Sequence, residues 1–200
     1  NVAAFENAFR CSVDLLEAAP LLADKVVEQA GGHPVTIVSP DFGGAKRAQR
    51  VQELVAVRTG APVDFAVLEK RRDNGELSGD LIIGPVTGRH AVVVDDLISA
   101  GTTVLRAVQA CRAAGALSVT AFATHGVFAP GAERLLGPDG PDLLYVTDTL
   151  LPTRLAPPPG GAAKLVVLPA SGLFAEALRR IGAGESVVAL REMERRPPAR

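Results

Sequence analysis

The chain has 200 residues, 48% of them hydrophobic, and a formal net charge of −1. That length and apolar content build one full core, and the near-neutral charge excludes a global electrostatic pull toward nucleic acid or a membrane surface. No apolar run approaches the roughly 20 residues that cross a bilayer, and Cys11 and Cys111 make no disulfide framework, so a reducing cytoplasm is the expected compartment.

Taken in chain order, Val13 to Ala30 carries apolar residues near the helical period, with Pro20 beginning the main helix and Gly31-Gly32 ending it. Val35 to Val38 is a short buried strand, and Ser39-Pro40-Asp41-Phe42-Gly43-Gly44 is its exit turn. A helix follows from Ala45 to Arg58 and stops near Gly60. Val63 to Glu69 is a strand, Lys70 to Gly79 a charged loop, and Leu81 to Ile83 and Ala91 to Val94 are strands. Thr102 to Ala114 is a helix that ends at Gly115, Ser118 to Thr124 a strand, and Ala132 to Leu136 a short helix. Leu143 to Thr147 and Leu165 to Leu168 are strands, and Gly172 to Ile181 is the last helix. The stretch Pro157 to Gly161 reads as an ordinary loop and Arg195 to Arg200 as a frayed tail.

Strands alternating with helices predict an α/β fold: a mostly parallel twisted sheet flanked by helices, in a single domain over residues 1–200. Functional groups in such sheets gather at the carboxyl ends of the strands. Asp41, Lys70, Asp95, His125 and Asp148 all follow predicted strands, and this placement predicts one shared cleft.

The stretch Val92 to Thr103 concentrates the chemistry. A β-branched run ends in Asp95-Asp96 and passes through Ser99-Ala100-Gly101 to Thr102-Thr103, which opens a helix. Free backbone N–H groups, hydroxyls and the positive end of a helix dipole suit a phosphate. Two carboxylates beside it would repel that phosphate unless they bound sugar hydroxyls or a cation, so a phosphorylated sugar satisfies both halves. The alternative is that the two acids simply cap a helix. Asp41, followed by Gly43-Gly44 at a helix start, is either a site carboxylate or a solvated cap. Lys70-Arg71-Arg72 is either a solvated loop or a set of cations for a polyphosphate. His33 and His90 read as plain loop residues; neither a zinc-type Cys/His spacing nor a Walker loop is present.

The 92–103 stretch resembles the phosphoribosyl-pyrophosphate (PRPP) loop shared by type I phosphoribosyltransferases and ribose-phosphate diphosphokinases, the PRPP synthetases. Four further stretches resemble the synthetases in order: 39–48, Lys70-Arg71-Arg72, 123–128 with 146–149, and 173–181 with 184–187. The resemblance covers nearly the whole chain. It implies a type I phosphoribosyltransferase-like fold and the transfer of the diphosphoryl group of ATP to ribose 5-phosphate, giving PRPP and AMP. It further implies that Asp95 and Asp96 bind ribose hydroxyls, directly or through Mg²⁺, and that Ser99, Ala100, Gly101, Thr102 and Thr103 cradle the 5-phosphate. Asp41 would hold Mg²⁺, while Lys70 and Arg72 would act in a flexible catalytic loop.

ATP and ribose 5-phosphate are the implied small-molecule partners, and a homo-oligomer the implied assembly, with no nucleic acid and no membrane. One departure is Ser99-Ala100, where an Asp-Thr pair is usual. Only the C-terminal half of a synthetase is resembled, so the N-terminal half, with the family's adenine-binding residues, is expected to be absent. A phosphoribosyltransferase that consumes PRPP is the second enzyme reading, and a non-catalytic relative that regulates a synthetase is the third.

Overall fold

The computed structural model describes residues 7–73, 76–151, 155 and 164–192, with the side chains of 70–73, 76–79 and 191–192 left out. The loop expected at 157–161 and the tail at 195–200 lie outside the described residues.

Helix α1 (Ala19–Ala30) begins where Pro20 permits, since a proline's fixed φ and missing N–H suit a first turn and not an interior. Residues 13–18, which share the helical spacing, are therefore not helical. Strand β1 (Val35–Ser39) follows, then helix α2 (Ala45–Thr59), which Gly60 ends at φ 66. Strands β2 (Asp64–Asp73) and β3 (Glu76–Ile83) come next, then β4 (His90–Ile98) and helix α3 (Thr102–Ala113). Strand β5 (Ser118–Gly126), a 3₁₀ helix (Ala132–Leu136), β6 (Leu143–Thr147), β7 (Leu165–Leu168), α4 (Ser171–Ala183) and a short α5 (Ala189–Glu192) complete the order.

The seven strands form one sheet in the order β3-β2-β1-β4-β5-β6-β7. All neighbours run parallel except β2 and β3, which are antiparallel. The expected mostly parallel sheet is therefore present. Two side-chain layers alternate along its strands. Val35, Ile37, Val92, Val94, Phe122 and Tyr145 pack under α1 and α2. Val38, Ala91, Val93, Ala121, Val146 and their neighbours pack under α3 and the 3₁₀ helix. Phe122 and Tyr145 lie side by side on β5 and β6 with rings 4.5 Å apart and nearly parallel. Near the chain's ends, Leu16 and Leu173 pack against Ala177, Val187 and Leu190. Among the described residues, no helix is long and apolar enough to cross a membrane.

Three elements depart from expectation. The charged stretch after Glu69 is not a loop: β2 continues through Asp73 and pairs with β3 from Lys70 opposite Asp80 to Asp73 opposite Glu76, with an irregularity between Arg71 and Arg72. Strand β4 does not end before the acids. It runs through Asp95, Asp96 and Leu97 to Ile98, because β5 extends alongside it to Gly126. Hydrogen bonding to a long neighbour overrides the poor strand propensity of aspartate. The same extension puts His125 inside β5, and His90 is a strand residue bonded through Nδ1 to Ser118 Oγ at 2.5 Å.

Candidate functional site

Strand order reverses between β1 and β4: the chain leaves β1 for β2 on one side and returns to β4 on the other. In an open parallel sheet the crevice at such a reversal is where ligands bind.

On the β1 side the exit turn is built by its own side chains. Ser39 Oγ donates to the Asp41 carbonyl at 2.6 Å, and the Gly44 N–H donates to Asp41 Oδ1 at 2.8 Å. A Cβ on Gly44 would lie 3.1 Å from Ser39 Oγ and 3.3 Å from Arg47 Nη1, so glycine lets three polar groups close on one point. Asp41 is thus a turn-builder through one oxygen, and its Oδ2 has no protein partner among the described residues.

On the β4 side, Asp95 is mostly buried and Asp96 half-exposed. Asp95 Oδ1 accepts the Asp96 N–H, and Asp96 Oδ1 accepts the Leu97 N–H, both at 2.8 Å. The guanidinium of Arg47, from the first turn of α2, spans the pair. Nη1 donates to Asp95 Oδ1 at 3.3 Å and Nη2 to Asp96 Oδ2 at 2.8 Å. Burial and the neighbouring Asp96 carboxyl push the Asp95 carboxyl up to about 6, against the opposing pull of the Asp96 N–H and Arg47.

The turn after β4 carries the features of an anion cradle. Gly101 takes φ 78, and no side chain caps α3. The helix ladder starts with the Leu105 N–H donating to Gly101 O at 2.9 Å, so the amides of residues 102–104 have no partner within the helix. The hydroxyls of Ser99, Thr102 and Thr103 have no protein partner among the described residues. From behind, the N–H groups of Val127 and Phe128 donate to Ile98 O at 3.0 Å, and Leu135 lies where a Gly101 side chain would. Phe128 itself holds φ 49, a left-handed conformation costly for a bulky residue, with its buried ring filling the space beside Gly126.

Asp41, Asp95, Asp96 and residues 97–104 line one depression of about 490 Å³. Eight residues singled out in the sequence thus meet: Asp41, Asp95, Asp96, Ser99, Ala100, Gly101, Thr102 and Thr103. Lys70 and Arg72 are placed by their backbone alone, on β2, their side chains lying outside the described residues.

His125 and Asp148 do not line this depression, contrary to the single cleft expected from strand ends. His125 Nδ1 bonds Thr149 Oγ1 at 2.7 Å, and Asp148 Oδ1 accepts the Ala170 N–H at 2.8 Å just before α4. Each makes a local bond, two and three strands away from β1.

Sequence reasoning missed Arg47 and the pair Arg106–Asp80, in which Arg106 Nε donates to Asp80 Oδ2 at 2.8 Å. A cation in a helix's first turn reads as solvated. The available signal was topological, because the helix leaving the strand at the reversal starts beside the next strand's carboxyl end.

Among the described residues, no three acidic, histidine or cysteine groups gather closely enough to cage a metal ion. Magnesium needs no such cage, since it keeps several waters and takes one or two carboxylates together with substrate phosphates. Asp41, with an uncommitted oxygen on the same depression as the cradle, fits that mode.

Residues 74–191 match the model of a family described as phosphoribosyl synthetase-associated domain. The ribose-phosphate pyrophosphokinase of Pasteurella multocida is 36% identical over 186 residues, covering 92% of this chain and 56% of that protein. That of Granulibacter bethesdensis is also 36% identical, covering 92% and 57%. A solved phosphoribosylpyrophosphate synthetase from Mycobacterium smegmatis superposes with a TM-score of 0.72 at 27% identity, over 90% of this chain and 55% of that one. The chain spans about half the length of the curated relatives it matches.

Proposed function

The chain belongs to the phosphoribosyl synthetase-associated domain family, and from that premise we propose that it forms the sugar-phosphate half of a ribose-phosphate diphosphokinase. The reaction joins the 1-hydroxyl oxygen of ribose 5-phosphate to the β-phosphorus of ATP. The bond from that phosphorus to the α,β-bridging oxygen breaks, so PRPP and AMP result. One observation carries the reading: the acid pair Asp95–Asp96 and the 99–103 cradle line a single depression at the strand-order reversal.

The roles follow from charge and geometry. The amides of residues 102–104 and the hydroxyls of Ser99, Thr102 and Thr103 take the 5-phosphate, with Ala100 and Gly101 presenting bare backbone. Asp95 and Asp96 accept the ring hydroxyls and hold the sugar with its 1-hydroxyl facing outward. Asp41 would hold Mg²⁺, which would supply charge neutralisation on the polyphosphate. Lys70 and Arg72, carried on the β2–β3 hairpin, place positive charge on the transferring group as charge develops there. Phosphoryl transfer leaves little covalent work for the protein, so positioning and charge carry the rate. Support for the family's activity comes from relatives whose length is about twice the matched portion.

Titrating this chain with ribose 5-phosphate by calorimetry, and assaying the intact protein for AMP from ATP and ribose 5-phosphate, tests the reading. Saturable binding with AMP formation supports it; base-dependent pyrophosphate release from PRPP assigns a phosphoribosyltransferase instead. The family's description favours one further reading, a non-catalytic associate of a synthetase. The sequence Lys70-Arg71-Arg72 and the acid pair argue against it, since an associate needs neither.

A further inference from the structure

Arg47 is the only described cation bonded to either member of the acid pair, and it bonds both. It stands in the first turn of α2, one residue before the fully buried Ala48, and its Nη1 lies 3.3 Å from where a Cβ on Gly44 would be. A planar guanidinium holds its donors at a fixed separation, which the ammonium of lysine cannot do. Here that separation is spent across two carboxylates, one donor to each, rather than in a fork on one. Asp95 and Asp96 are adjacent on a strand, so their side chains leave the backbone in different directions. Each carboxylate is held by the next backbone amide, and Arg47 ties one oxygen of Asp95 to one of Asp96. Asp95 Oδ2 is left without a protein partner among the described residues, and an ionised carboxylate oxygen has more than one acceptor site.

Two acceptors held at a set spacing match a ligand with two donors at a set spacing. We infer that Arg47 is a specificity-determining positioning residue: by clamping Asp95 to Asp96 it sets the spacing at which the two acids accept a cis pair of sugar hydroxyls. The inference rests on the sugar-phosphate reading above and adds to it the residue that selects ribose over a sugar lacking one hydroxyl. Arg47 acts through the acids and touches no reacting atom. Removing it also leaves two like charges adjacent, with Asp95 more readily protonated and so a poorer acceptor.

The test compares wild type, Arg47→Ala and Arg47→Lys by calorimetry with ribose 5-phosphate, 2-deoxyribose 5-phosphate and inorganic phosphate. Wild type is expected to prefer ribose 5-phosphate over its deoxy analogue by at least about tenfold, because an acceptor built for a hydroxyl is left unpaired by its loss. In Arg47→Ala that preference is expected to fall to about twofold or less, with ribose 5-phosphate bound at least about tenfold more weakly and inorganic phosphate unchanged. Arg47→Lys restores charge without the planar spacing, so it is expected to recover affinity more than preference. Retention of the full preference in Arg47→Ala overturns the inference alone. An equal loss of inorganic phosphate also overturns it, because Arg47 would then serve the anion. Failure of wild type to bind ribose 5-phosphate overturns the sugar-phosphate reading itself and the inference with it.

Discussion

Two sets of strand ends on the same sheet carry the same sequence signal and meet different fates. Beside β1 and β4, Asp41, Asp95 and Asp96 keep oxygens turned to a depression. At the ends of β5 and β6, His125 bonds Thr149 and Asp148 accepts the amide of Ala170, and neither lines that depression. A polar residue after an apolar run marks the carboxyl-end region of a strand in both places. Only strand order distinguishes them, because the reversal lies between β1 and β4, and a crevice opens there without an adjacent helix connection to fill it.

The contrast can be broken by exchanging which end matters for ligand. Asp95→Asn together with Asp96→Asn is expected to weaken ribose 5-phosphate binding about a thousandfold, since two charge-assisted acceptors are lost, whereas Asp148→Asn leaves it within about twofold. Comparable losses in calorimetry would place the sugar at the wrong end of the sheet. Next in size, Lys70→Ala is expected to lower kcat of the intact enzyme about a hundredfold while barely changing ribose 5-phosphate affinity. Near-normal turnover would remove the hairpin from the chemistry.

The far end should answer in stability instead. Asp148→Ala removes a carboxylate that accepts the amide at the entry to α4, and a loss of about 1 kcal/mol, or about 2–4 °C in Tm, is expected. An unchanged melting curve would mean that the bond contributes nothing.

The smallest effect runs the other way. Asp95 holds its proton to about pH 6 when folded but only to 3.8, the ordinary aspartate value, when the chain is unfolded. The folded state therefore binds more protons between those values, so this group costs stability as pH rises through that window and the cost stays in full above it. Asp95→Asn is accordingly expected to raise Tm slightly at pH 7.5 and to leave it unchanged near pH 4. A variant less stable than wild type at pH 7.5 would mean that Arg47 more than offsets burial.

Much of the frame was legible because its elements are separated by strong punctuation. Gly31 and Gly60 end α1 and α2 in the left-handed conformation, and the runs 143–147 and 165–168 coincide with β6 and β7. The alternation of strand and helix pointed to the parallel sheet. Boundaries failed where pairing outweighs propensity: the aspartates of β4 and the histidine of β5 read as lying just past a strand, and the cations along β2 as a loop. The convergence of Asp41 with the 95–103 stretch was anticipated from strand ends, but Arg47 was not. Its partners are 48 and 49 positions away, and nothing in a solvated-looking helix start announces them. Long-range ion pairs depend on topology, which local pattern does not carry.

Arg106 and Asp80 join α3 to β3, and Asp80 stands opposite Lys70 in the β2–β3 ladder. The helix whose first turn forms the anion cradle is thereby bolted to the root of the cationic hairpin. Were an anion in the cradle to tilt the hairpin, linkage would require the hairpin's own engagement to tighten the grip on that anion by the same free energy.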